Sequence, residues 1–137
     1  MLNNLSQNAY FSLLLCLLAG AVTPLSFAPF HLWPIGLLSL AIFGALLSRA
    51  ATAQYALLLA LAFGLGYFGT GVSWVYVSIY YFGSTGWLLA ILMTSLFIAF
   101  VACVFALPFY LMHYCKPSLR LLIGFPVLWV LSEWLRT

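Results

Sequence analysis

The chain has 137 residues, of which 67% are hydrophobic and only 4% charged, with a formal net charge of +3 and a mean hydropathy of +1.22. A soluble domain carries about 25% charged residues, so this composition excludes a water-soluble globule and describes an integral membrane polypeptide. Its charge comes from five ionised side chains, Glu133 being the one acid, which leaves no basis for a nucleic-acid-binding surface.

Crossing a bilayer core of about 30 Å takes about 20 apolar helical residues at 1.5 Å per residue. About five such runs follow one another. The first extends from Ala9 to Leu25. Ala19-Gly20-Ala21 mimics a signal-peptide cleavage site, but no Lys or Arg precedes the run and further spans follow at once, so a retained helix is expected. Pro24, Pro29 and Pro34 bracket Ser26-Phe27-Ala28-Pro29-Phe30-His31, which cannot continue a helix. The second run, Leu32 to Leu47, is short and suits a tilted or partly buried helix. The third runs from Ala53 to Val75, and Gly83-Ser84-Thr85-Gly86 separates it from the fourth, Trp87 to Met112. Pro108 is expected to kink the fourth rather than end it. Lys116-Pro117-Ser118 precedes the fifth, from Leu119 towards Thr137. The fold class read from these runs is an all-α polytopic transmembrane bundle forming one domain over residues 1–137. There is no internal repeat and no flexible linker.

Arg49 lies in the second connection, and Lys116 and Arg120 lie at the fourth. The first and third connections carry no Lys or Arg. The positive-inside bias therefore predicts that these three residues and the N-terminus are cytoplasmic. Trp33, Trp74, Tyr76, Tyr80, Tyr81 and Trp87 cluster around the outward connections, where an aromatic belt is expected.

Gly64-x-Gly66-x-x-Gly69 matches a dinucleotide-binding fingerprint in letters only. That motif needs a strand-to-helix turn and an acid about 20 positions on, and this one sits inside an apolar span. Helix packing is the physical alternative: Ala62, Gly66, Gly69 and Ser73 follow steps of four, three and four and share one face. Small residues there let backbones approach, which drives association where lipid supplies no hydrophobic force. Trp74, Ser78 and Tyr81 share a face by the same spacing. They read either as belt and packing or as the wall of an acyl-chain cavity.

Glu133 and Arg136 stand three apart on the fifth run, so their side chains can meet. Ionisable groups within spans are costly and mark a partner or a site. His31 and His113 have no carboxylate or second ligand nearby in sequence and read as interfacial. Cys16, Cys103 and Cys115 lie far apart with no metal-ligand spacing; Cys16 and Cys103, in apolar settings, read as free, buried thiols and Cys115 as a juxtamembrane thiol. No metal site, cofactor site or catalytic constellation can be assembled.

Three blocks carry a family resemblance: Leu25-Ser-Phe-Ala-Pro29-Phe-His-Leu-Trp33-Pro34; Gly64-Leu-Gly-Tyr-Phe-Gly69-Thr-Gly-Val-Ser-Trp74-Val-Tyr76-Val-Ser78-Ile with Phe82-Gly83; and Leu128-Trp129-Val-Leu-Ser-Glu133-Trp134-Leu-Arg136. In order and spacing the sequence resembles the membrane-embedded N-terminal part of the apolipoprotein N-acyltransferases. The resemblance implies a bacterial inner-membrane enzyme of eight transmembrane helices with a cytoplasmic N-terminus. It implies a periplasmic nitrilase-like domain, between the seventh and eighth helices, with a Glu-Lys-Cys triad. The cysteine of that triad takes an acyl chain from a membrane phospholipid as a thioester. It then passes the chain to the α-amine of a diacylglyceryl-modified cysteine on an apolipoprotein, with no cofactor or metal.

No nitrilase-like domain lies within these 137 residues, so none of the three cysteines inherits the nucleophile's role. The family usually continues with glycine after Glu-Trp-Leu-Arg, where this sequence has Thr137. Residues 1–137 alone are expected to lack transferase activity, as a truncated product, a partial sequence or one piece of a split enzyme. Trp74, Tyr76, Ser78, Glu133 and Arg136 are the candidates for facing lipid or docking the catalytic domain. One rival reading is a non-enzymatic scaffold, or a subunit that binds a separately encoded nitrilase-like protein. The other is a small transporter, disfavoured by the apolar middles of the spans.

Overall fold

A computed structural model describes residues 2–27, 31–84 and 86–136, with side chains from residue 9 onward. Ala28, Pro29, Phe30, Thr85 and Thr137, which figure in the sequence reading, lie outside the described residues. Among the described residues every regular element is helical.

Helix α1 covers Leu2–Val22 and tightens into a 3-10 turn at Thr23–Ser26, where Pro24 has no N–H to give the α ladder. Helix α2, Trp33–Ser48, carries Pro34 in its first turn, where a missing N–H costs nothing. Helix α3, Ala53–Gly71, is capped by Thr52, whose Oγ1 accepts from the Tyr55 amide at 3.2 Å. It ends four residues before the expected Val75. Val72 leaves the helical region (φ −113°, ψ 6°), and a separate short helix α4 covers Trp74–Phe82. The glycines, Thr70 and Ser73 crowded at this point are weak helix formers, and together they break the run. Helix α5 is Trp87–Ala106. At Pro108 the chain changes winding, continuing as a 3-10 helix over Leu107–Tyr114. A 3-10 turn at Pro117–Leu119 and a π turn at Arg120–Gly124 lead into α6, Phe125–Arg136.

Among the described residues, four stretches are long and apolar enough to cross a membrane: Ala9–Ser26, Ala53–Gly71, Trp87–Tyr114 and Pro117–Arg136. With 16 residues, α2 reaches only about 24 Å. The most extensive helix contact joins α1 to α3. These two run parallel: Ala9 and Ser12 share a groove with Tyr55 and Leu59, and Thr70 donates to the Ala21 carbonyl at 3.0 Å. The chain must therefore return between them, and α2 makes that return. The result is an all-α membrane helix bundle.

Two glycines set how near α1 and α3 lie. A Cβ on Gly66 would strike the Leu17 carbonyl oxygen, and one on Gly20 would strike that of Phe63. Only a hydrogen at each position permits this approach. Beside the contact, the core is aromatic. Phe43 of α2 stacks on Phe63 of α3 with centroids 4.2 Å apart, and Phe105, Phe109, Phe125 and Trp129 close around Phe43 edge-on or tilted. Such geometry adds to burial because ring edges are positive and ring faces negative.

Polar groups join the helices at both ends. Buried Ser39 donates to the Ala19 carbonyl at 2.5 Å, and its Oγ lies 2.6 Å from Thr23 Oγ1. At the opposite end, Arg120 donates to the carbonyls of Cys115, His113, Ser48 and Ala50 at 3.1–3.3 Å. Arg49, Lys116 and Arg120 thus share one end of the bundle, while Arg136 lies at the other.

Candidate functional site

The last turn of α6 brings Glu133 and Arg136 together as an ion pair, the i,i+3 spacing placing both on one face. Arg136 also lies over the Phe68 ring of α3, its guanidinium carbon 5.3 Å from the centroid. An aromatic face attracts such a cation, so α6 is tied to α3 where α3 ends.

Arg136 borders two cavities. One, of about 550 Å³, runs between α3, α5 and α6 and is walled by Phe68, Phe97, Phe100, Val104 and Leu135. The other, of about 410 Å³, lies towards the end of α1 and is lined by Pro24, Phe27, Tyr67 and Thr70. Tyr67 faces a third space as well, about 350 Å³, together with Thr23, Ser26, Trp33 and Trp129. Although Arg136 is paired with Glu133, a guanidinium has five N–H donors. At the shared border of these two chambers it can also hold an anionic headgroup while hydrocarbon lies along the apolar walls.

Trp74, Tyr76 and Ser78 stand on α4, which buries none of its residues. Trp74 is exposed, Ser78 is half-buried, and Tyr76 stacks on Tyr80 with centroids 5.8 Å apart. None of the three lines a cavity that Arg136 borders. The structure therefore divides the candidates into an ion-paired set on α6 and a set on α4 of which only Trp74 is exposed. On the small-residue face, Gly66 meets α1 and Ala62 is half-buried, whereas a Cβ on Gly69 would meet nothing within 4 Å. Ser73 lies past the end of α3, in the bend, and donates to the Thr70 carbonyl at 3.1 Å.

Phe68, Phe97, Phe100, Val104 and Tyr67 are the neighbours of Arg136 that sequence reasoning missed. Apolar residues on an apolar helix carry no local mark of a cavity wall. Tyr67 alone had a signal, as a hydroxyl inside a glycine-rich stretch. Cys16 is buried as expected and Cys115 half-buried, but Cys103, expected to be buried, is exposed, since an apolar setting in a membrane helix suits a lipid-facing position as well as a core one. No group of three His, Cys, Asp or Glu could hold a metal among the described residues.

The family model described as the apolipoprotein N-acyltransferase N-terminal domain matches residues 19–137. The chain belongs to the apolipoprotein N-acyltransferase family. It is 46% identical over 132 residues to the apolipoprotein N-acyltransferase of Coxiella burnetii, covering 90% of this chain and 26% of that one. The enzyme of Vibrio parahaemolyticus is 42% identical over 120 residues, 85% of this chain and 24% of its own length. That of Nitrosomonas europaea is 37% identical over 134 residues, 95% and 27% respectively. The chain thus spans about a quarter of the length of these relatives. The match to that N-terminal domain takes in Gly20 and Gly66, the bend after α3, helix α4 and the Glu133–Arg136 pair.

Proposed function

We propose that residues 1–137 are the membrane part of a phospholipid-dependent apolipoprotein N-acyltransferase of the bacterial inner membrane, with its N-terminus in the cytoplasm. The supporting observation is the cavity of about 550 Å³ with aromatic and aliphatic walls and Arg136 at its border. Those walls suit an acyl chain, and the guanidinium suits a phosphate. Arg49, Lys116 and Arg120 gather at the far end, and the positive-inside bias assigns that end to the cytoplasm. Arg136 then stands at the outer leaflet, where lipoprotein and donor phospholipid meet.

In this reading the bundle binds and orients, and it does not make or break bonds. Acyl transfer needs a nucleophile with a base in reach, and none of the cysteines has such a neighbour among the described residues. A nitrilase-like domain, continuous with the bundle or separately encoded, supplies that chemistry. Helix α4, with Trp74 exposed and Tyr76 and Ser78 half-buried, offers it a docking surface at the outer end. Glu133 holds Arg136 in place at the mouth of the chamber.

Acyl transfer from phospholipid to a diacylglyceryl lipopeptide tests this. The full-length protein turns over, residues 1–137 alone do not, and Arg136→Ala raises the KM for phospholipid. Robust turnover by residues 1–137 alone overturns the reading. Turnover restored by adding a separately expressed nitrilase-like protein identifies a split enzyme.

A further inference from the structure

Of the three arginines that cap this bundle, two are spoken for. Arg120 gives its donors to four carbonyls, and Arg136 is paired with Glu133. The exposed Arg49 guanidinium has no hydrogen bond or ion pair among the described residues. It lines a groove of about 580 Å³ between α1, the end of α2 and the start of α3, with Ala9, Leu46, Thr52, Tyr55 and Leu59. We propose that this groove seats one anionic phospholipid, its phosphate on Arg49 and an acyl chain along Leu46, Tyr55 and Leu59.

The groove's walls and its charge select the same ligand. A free phosphate would leave the aliphatic walls uncovered, and a neutral hydrocarbon would leave the guanidinium unpaired. A phospholipid satisfies both. Thr52 caps the N-terminus of α3 at the same groove, and the positive end of that helix adds to the attraction for a phosphate. Lys116 and Arg120 make this end of the bundle uniformly basic, while Glu133 is at the other. An anionic headgroup is therefore favoured over a zwitterionic one, as in basic pockets between transmembrane helices generally. The site is not the acyl-donor chamber: the 19 residues of α3 put about 28 Å between the two ends. The lipid here is a structural one of the leaflet at the Arg49 end.

Native mass spectrometry tests it, on the full-length protein equilibrated with vesicles of equal phosphatidylglycerol and phosphatidylcholine. The wild type retains phosphatidylglycerol in preference, and millimolar inorganic phosphate does not displace it. Arg49→Gln lowers retention about fivefold, the worth of one cation at a membrane surface, and Arg49→Lys keeps most of it. Ala9→Trp fills the groove without touching the charge and also lowers retention. Undiminished retention by Arg49→Gln or by Ala9→Trp overturns the proposal, and so does displacement by inorganic phosphate. Lipid retention is read without acyl transfer, so the result stands apart from the proposed enzyme function.

Discussion

Gly66 lies so close to Leu17 that any side chain on it would overlap the Leu17 carbonyl oxygen. The obstacle is backbone of a neighbouring helix, so no rotamer change relieves it. Gly66→Ala must push α1 and α3 apart, at about 1–3 kcal/mol for overpacking of this kind. Gly69, one turn on, has open space around its Cβ position. Gly69→Ala should hold or raise stability, because Ala exceeds Gly in helix propensity by about 1 kcal/mol. Thermal unfolding in detergent, followed by circular dichroism, should show a lowered midpoint for Gly66→Ala only.

That contrast shows what the sequence could carry. The four-three-four spacing put Ala62, Gly66, Gly69 and Ser73 on one face, but a face has no depth until its partner is known. Gly66 meets backbone, Gly69 meets nothing, and Ser73 lies beyond the helix end. Gly20, the reciprocal residue on α1, figured in the sequence only as the middle of a segment that mimics a signal-peptide cleavage site. The long apolar helices were legible because their composition is continuous and prolines and glycines mark their ends. The walls around Arg136 were not. A helix apolar on every side gives no amphipathic cue to separate lipid-facing from core-facing positions, so Phe97 and Phe100 looked like any other membrane residues.

Arg120 ties the Ser48–Ala50 turn to the turn after α5 through backbone carbonyls alone. Helix ends leave such carbonyls unpaired, and a guanidinium is the side chain with enough donors to serve four. Arg120→Ala should lower stability by about 2 kcal/mol, within the range for hydrogen bonds to a charged group. Arg120→Lys should recover part of that, since an ammonium has three donors without the planar fork. Comparing both midpoints with that of the wild type checks the order.

Ser39→Ala should cost less. Its hydroxyl shares the Ala19 carbonyl with Thr23, whose own bond at 2.8 Å survives the change. No buried acceptor is stranded, and the loss is one interhelical hydrogen bond, about 0.6 kcal/mol in membrane bundles. Thr23→Val should behave similarly, because Ser39 keeps its bond to the same carbonyl. In the double variant neither hydroxyl remains to reach the Ala19 carbonyl. Its loss should therefore exceed the sum of the single losses, a coupling that a double-mutant cycle in detergent measures directly.

The chamber bordered by Arg136 makes a prediction about substrate rather than stability. Val104 is half-buried and lines it together with Phe68, so Val104→Trp places a ring where the reading puts hydrocarbon. Each methylene kept out of an apolar site costs about 0.8 kcal/mol, and displacing two raises KM for phospholipid about tenfold. The rate at saturating lipid should fall less, because the groups that transfer the acyl chain lie elsewhere. Leu92→Trp is the matched control: Leu92 is exposed on the same helix and lines none of the chambers around Arg136. Assayed in the full-length enzyme, an equal rise in KM for both variants would mean that the chamber is not where the acyl chain sits.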